Sequence, residues 1–177
     1  MPQIIFLIIS IAWIYFSPKN NISAFLRFNV LATVEGVILG IVLAICGYGF
    51  YKWVKKTKKF YATVELFEDV LSPVFKNLKP VDMILLSLIA GFCEEVFFRG
   101  LLLPNLPFGL LLSSVAFGIL HLPGFKFWIY SVWAALSGAL FGWLFLLTGS
   151  LWLPITAHSV NNIIGMFLLT KVEKKNN

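Results

Sequence analysis

The chain has 177 residues, 59% of them hydrophobic and only 12% charged, with a mean hydropathy of +0.89. Soluble domains carry about 25% charged residues, and a chain this short has too much surface for its volume to hide so many apolar side chains; composition therefore points to an integral membrane protein. The net charge of +6 is concentrated, since Lys52, Lys55, Lys56, Lys58 and Lys59 directly follow an apolar run, and a basic block beside a span meets anionic lipid headgroups rather than nucleic acid.

In chain order, apolar runs separated by turn signals predict helices at about 3–17, 29–51, 81–103, 107–122, 126–148 and 151–170, giving six candidate spans in a single all-α integral membrane domain over 1–177. The first and fourth are short against the ~20 residues that a bilayer core requires. The first run lacks a basic leader and a small-residue cleavage site, so it is expected to be retained rather than removed as a signal peptide. Strand barrels do not fit, because alternation of apolar and polar residues is missing. Cys46 and Cys93 lie within apolar segments and read as packing residues.

Between the second and third spans, Phe60, Val64, Phe67, Leu71, Val74 and Leu78 share one helical stripe, with Glu65, Glu68, Asp69, Ser72 and Lys76 mostly opposite. This spacing predicts an amphipathic helix in the interface, bent at Pro73. Gly36-x-x-x-Gly40 and Gly138-x-x-x-Gly142 permit close helix approach and carry no chemistry in this reading. With the loop after the second span placed inside, Lys52–Lys79, Lys126 and Lys171, Lys174 and Lys175 put eleven basic residues on the cytoplasmic side, against Lys19 and Arg27 outside. The expectation is a multi-pass protein of the plasma membrane with both termini cytoplasmic.

The third predicted span holds the stretch GFCEEVFFRG, residues 91–100. A charge at the centre of a spanning helix costs about 2.5–3.5 kcal/mol on insertion scales, so three charges there need a reason. Glu95 and Arg99 are four apart with the glutamate first, the favourable order for an intrahelical ion pair. That pair accounts for two of the charges and leaves Glu94, a turn-fraction away, as the candidate general base. The sequence has two histidines, His121 and His158, both placed in apolar runs, where an ionisable residue is a functional candidate by default. His158 and Asn162 share a helical face and can aim a ring nitrogen and an amide at one spot, as an oxyanion site requires. Phe117, one turn before His121, can hold its imidazole ring. Neither a G-x-S-x-G elbow nor an H-E-x-x-H motif is present; zinc held by His121, His158 and one glutamate is the rival arrangement.

These residues resemble the CPBP group, the CAAX proteases and bacteriocin-processing enzymes also called the Abi family, which includes the type II CAAX prenyl endopeptidases. Its motifs E-E-x-x-x-R, F-x-x-x-H and H-x-x-x-N/D match Glu94-Glu95-Val-Phe-Phe-Arg99, Phe117-Gly-Ile-Leu-His121 and His158-Ser-Val-Asn-Asn162, in order, over roughly residues 80–165. The resemblance implies an intramembrane endopeptidase that hydrolyses a peptide bond of a membrane-associated peptide or protein. In it Glu94 activates water with help from His121, His158 and Asn162 form the oxyanion site, and Glu95 and Arg99 support them. The favoured mechanism uses no metal and no other cofactor. A noncatalytic membrane immunity or adaptor protein of the same fold is the alternative from another class. A proton-linked transporter is disfavoured by the lack of inverted repeats.

Overall fold

The computed structural model describes residues 2–16, 22–57 and 60–172. Lys19, Lys58, Lys59, Lys174 and Lys175, used above to assign orientation, lie outside the described residues.

The described chain is helical throughout, without strands. In order, α1 is Pro2–Phe16, α2 is the short Ile22–Phe25 and α3 is Val30–Thr57. The amphipathic α4 covers 61–76, α-helical at Tyr61–Glu65 and Ser72–Lys76 with a π-helical turn at Leu66–Leu71 between them. The rod α5 covers 80–105, with Pro80–Glu95, a second π-helical stretch at Val96–Leu102 and a last turn at Leu103–Asn105. Then follow α6 (Gly109–Leu120), α7 (Trp128–Thr148, entered through a 3-10 turn at Phe125–Phe127) and α8 (Trp152–Thr170).

Local chemistry accounts for several of these boundaries. Pro80 opens α5 where its missing N–H costs nothing, and Asp82 sits in the first turn where the helix dipole favours an anion. Gly149 closes α7 at φ 64, and its N–H donates to the Phe145 carbonyl, a glycine-dependent stop. The second span continues past the predicted residue 51 to Thr57 because Lys55 and Lys56 occupy its last turn, where cations suit the dipole.

The amphipathic segment departs from the predicted stripe. Val64 and Phe67 turn inward as the period requires, but Leu66, which is not on the stripe, is buried too; Ser72, assigned to the polar side, is buried and its hydroxyl donates to the Val172 carbonyl, while Val74 is exposed. Glu68, also assigned outward, faces α3, where it accepts from the Tyr51 hydroxyl at 2.8 Å and pairs with Lys55 at 2.6 Å. A π-helical turn adds a residue to the turn and rotates everything after it relative to an ideal helix, so a stripe drawn at one period cannot hold on both sides of Leu66–Leu71. Lys76 reaches the Val172 carbonyl at 2.7 Å and Glu65 pairs with Lys126. These contacts tie α4 to α3, to the end of α8 and to the approach to α7.

The outer faces of the long helices carry Ile38, Ile45, Leu85, Leu136 and Trp143, all exposed. This continuous apolar exterior is the mark of an all-α membrane protein. Among the described residues, Val30–Thr57 and Phe125–Thr148 are long and apolar enough to cross a membrane.

Helix α8 runs against both α3 and α5. Gly36 and Gly40 make the α3 contact possible: a methyl group at 36 would lie 2.5 Å from the Leu153 carbonyl, and one at 40 would lie 2.6 Å from the Ala157 carbonyl. Backbone cannot rotate out of the way, so overpacking costing roughly 1–3 kcal/mol outweighs the ~1 kcal/mol by which alanine is the better helix former. Gly40→Ala is therefore expected to lower the melting temperature in detergent, whereas Gly49→Ala, where nothing stands within 4 Å, should leave it unchanged or raise it. Equal melting temperatures for the two variants would show that the α3–α8 approach does not depend on Gly40.

Candidate active site

Three helices converge on the α5 glutamates. Glu94 and Glu95 end the α-helical part of α5, and the π-helical stretch that follows carries Arg99. Glu95 and Arg99 are almost completely enclosed, at 0% and 1% exposure. One Arg99 amino group (Nη1) donates to Glu95 Oε1 at 2.8 Å, the ion pair that the spacing predicts. The other (Nη2) donates to the Gly138 carbonyl of α7 at 2.9 Å. The guanidinium also lies within cation–π distance of Phe98, Phe117 and Phe141, at 5.7, 4.7 and 5.6 Å from the ring centres.

Gly138 thus contributes to the site, contrary to the reading of its motif as packing alone. A methyl group there would stand 3.1 Å from Arg99 Nη2 and 3.4 Å from Phe117, so glycine leaves room for the guanidinium to reach the carbonyl. Gly142, its partner in the motif, does pack, against Leu103 and Leu110.

His158 reaches the same carboxylate from α8. Its Nδ1 lies 2.8 Å from Glu95 Oε1, the oxygen that also receives Arg99, so a single carboxylate oxygen gathers two donors. A carboxylate paired with arginine accepts, so Nδ1 carries the hydrogen and Nε2 points onward. Phe141 stacks on the imidazole at 5.8 Å between ring centres and Phe117 meets it edge-on.

His121 comes from the end of α6. It is the residue at which α6 ends, not one within the apolar helix: its N–H donates to the Phe117 and Gly118 carbonyls, and its backbone has left helical geometry. Nδ1 lies 2.7 Å from the Phe117 carbonyl, which fixes the hydrogen on Nδ1, and the Phe117 ring stacks on the imidazole at 4.2 Å. Phe117 therefore orients His121 by both its carbonyl and its ring.

The outcome is that the Nε2 atoms of both histidines face one carboxylate oxygen. Glu94 Oε2 lies 3.7 Å from His121 Nε2 and 4.0 Å from His158 Nε2. Both spans exceed a direct hydrogen bond. Bond lengths near 2.1 Å in a tetrahedral zinc site put ligand atoms about 3.4 Å apart, while a water hydrogen-bonded at about 2.8 Å to both groups spreads them to about 4.6 Å, so the two spans lie between these arrangements. Among the described residues, no group of three or more histidine, cysteine or carboxylate side chains is arranged to hold a metal.

His121 and Asn162 open onto a cavity of about 250 Å³ walled by α3, α4, α7 and α8. Asn162 receives the Asn161 amide at 3.4 Å. His158 is buried and does not line this cavity, so of the two α8 residues read as an oxyanion pair only Asn162 reaches it. The sequence reading missed Gly138, Phe141 and the cavity wall from α4. The G-x-x-x-G spacing signalled close approach at Gly138; nothing comparable marks Phe141 among so many aromatic residues.

The family model described as type II CAAX prenyl endopeptidase Rce1-like matches residues 76–164, half of the chain, and that segment contains each of Glu94, Glu95, Arg99, Phe117, His121, His158 and Asn162. Among curated proteins the chain is similar to uncharacterized protein YpbD of Bacillus subtilis (strain 168), 26% identical over 127 residues, which are 71% of this chain and 62% of that protein. The chain thus spans less than two thirds of this relative's length. No solved structure matches. With the family model covering the whole cluster around Glu94, the chain belongs to the type II CAAX prenyl endopeptidase Rce1-like family.

Proposed function

We propose that the protein is an intramembrane endopeptidase that hydrolyses a peptide bond of a membrane-associated peptide or protein. The observation that carries this reading is the convergence of His121 Nε2 and His158 Nε2 on Glu94 Oε2 beside a cavity large enough for several side chains. Each group has a part. Glu94 is the general base, taking a proton from a water held between its Oε2 and His121 Nε2 as the water oxygen attacks the scissile carbonyl carbon. The lone pair of His121 Nε2 is available because Nδ1–H is committed to the Phe117 carbonyl. As the carbonyl oxygen gains charge, His158 and the Asn162 amide donate to it. Since Nδ1–H of His158 is already given to Glu95, donation from Nε2 requires a hydrogen on that nitrogen as well. The proton taken from water passes to the leaving nitrogen as the peptide bond breaks.

The two glutamates are expected to fail differently. Glu94→Gln keeps size and hydrogen-bonding reach but removes the base. Turnover of a quenched peptide in detergent should fall at least 100-fold, in the range of general-base contributions, with the melting temperature unchanged. Glu95→Gln removes the charge opposite Arg99 in a closed site, and breaking one side of a buried pair costs about 3–5 kcal/mol. It should lower the melting temperature, and the double variant Glu95→Gln with Arg99→Gln should regain part of the loss. A stable, active Glu94→Gln protein would remove Glu94 from the role of base.

The reading invokes no metal. Activity should survive dialysis against a chelator, and elemental analysis should find less than stoichiometric zinc. Activity lost with one zinc per chain and regained on adding zinc would transfer water activation to a Lewis acid.

We also propose six membrane crossings, with the basic segment after α3 and the region after α8 on the cytoplasmic side of the plasma membrane. Reporter fusions after Thr57 and after Val172 should report the same, cytoplasmic face; opposite faces would break the six-span assignment.

A further inference from the structure

The cavity beside His121 and Asn162 has a polar group that the hydrolytic steps do not use. Tyr130, in the first turn of α7, lines this cavity together with Phe67 of α4 and Trp133 one turn further along α7. The Phe67 and Tyr130 rings meet edge-on at 6.2 Å, which fixes the plane of the phenol. Among the described residues no hydrogen bond engages the Tyr130 hydroxyl. Tyr51, which lines the same cavity, has its hydroxyl committed to Glu68 and Lys55. Tyr130 thus shares the lining of this cavity with His121 and Asn162.

A phenol that lines a mainly apolar pocket, held by a ring contact and with no hydrogen bond to its hydroxyl among the described residues, is suited to one polar contact with an otherwise apolar ligand. A peptide lying there offers backbone carbonyls as acceptors. Resting on the peptidase reading above, we propose that Tyr130 is a substrate-binding residue whose hydroxyl donates a hydrogen bond to a backbone carbonyl of the peptide held between Phe67, Trp133 and the His121–Asn162 wall. It acts equally on bound substrate and transition state, because the carbonyl it holds is not the one attacked; the loss on its removal therefore falls on KM.

The test is Tyr130→Phe, which keeps the ring and deletes the donor, with Tyr61→Phe on the exposed face of α4 as the control. Kinetics use an internally quenched peptide with an apolar, membrane-associated segment in detergent micelles. Binding of the same peptide, fluorescently labelled, is measured in a Glu94→Gln background with and without Tyr130→Phe. One neutral hydrogen bond predicts a KM and a Kd raised about two- to tenfold, with kcat within twofold and the melting temperature unchanged. If the ring only packs, the more apolar phenylalanine should bind the peptide as well or better; an unchanged or lower KM overturns the assignment while leaving the peptidase reading intact. A loss confined to kcat overturns it equally, since a binding donor does not act that way. If wild type neither cleaves nor binds the peptide while the melting temperature shows it folded, the peptidase reading falls and this proposal with it. Should Tyr130→Phe fail to fold, 3,5-difluorotyrosine at 130 keeps the shape and loses its donor proton at lower pH. KM should then rise with pH earlier than in wild type, and coincident pH profiles would overturn the assignment.

Discussion

One carboxylate oxygen organises the interior. Glu95 Oε1 accepts from Arg99 within its own helix and from His158 across the α5–α8 interface, each at 2.8 Å. Charges in a low-dielectric interior are tolerated only when paired and hydrogen-bonded, and here the pairing also sets position. Arg99 anchors α7 through the Gly138 carbonyl, and His158 is turned so that Nδ1 faces Glu95 and Nε2 faces Glu94. Three helices are thus registered by a single buried anion, and the arrangement of the two histidines around Glu94 follows from that registration. Hydrophobic burial alone could not do this, because in a lipid surrounding the tails are as apolar as the side chains and give no preference for one helix register over another.

Shape supplies what polarity does not. Helix α8 carries both His158 and Asn162, so its position decides whether the histidine reaches Glu95. Small residues bring it close on two sides: Gly36 and Gly40 on α3, and Gly91 on α5, where a methyl group would collide with Ser159, the neighbour of His158. The α2 segment fixes the start of α8, through the Leu151 N–H on the Phe25 carbonyl and the Trp152 indole on the Leu26 carbonyl, both at 2.9 Å. Backbone groups that would otherwise be left unpaired near the membrane boundary are used to hold a helix end.

Much of this was legible in the sequence, for identifiable reasons. A long run of apolar residues bounded by turn signals leaves few choices of helix, so the predicted segments and the observed helices agree to within a few residues except at the end of α3. Glu95 and Arg99 are read as a pair because i,i+4 spacing is a local property. What the sequence hides is long-range or depends on departures from the ideal helix. A stripe at constant period puts Glu68 and Ser72 outward because it cannot anticipate the π-helical turn between Leu66 and Leu71. His121 was placed inside a helix because nothing apolar changes at residue 121; the end is set by its N–H shared between two carbonyls. The Gly138 carbonyl is invisible to any pattern of side chains.

The second π-helical stretch lies where it has mechanical consequences. It begins at Val96, directly after the two glutamates, and contains Arg99. In an α-helix each carbonyl is bonded four residues on, and inserting a residue into that ladder shifts the side chains beyond it around the axis. The Glu95–Arg99 contact survives at 2.8 Å because the arginine side chain is long enough to absorb the shift, while Phe98 and Leu101 beyond the pair are turned into the interior with no exposed surface. A regular helix would carry these two bulky residues to other angles and lose that packing on the side facing α1 and Phe117, where Phe98 meets Phe6 and Phe117 edge-on. The irregularity in α5 therefore reconciles two demands that a straight helix cannot meet together. It holds the paired glutamates toward α6 and α8, and it buries the aromatic residues that shield their counter-ion.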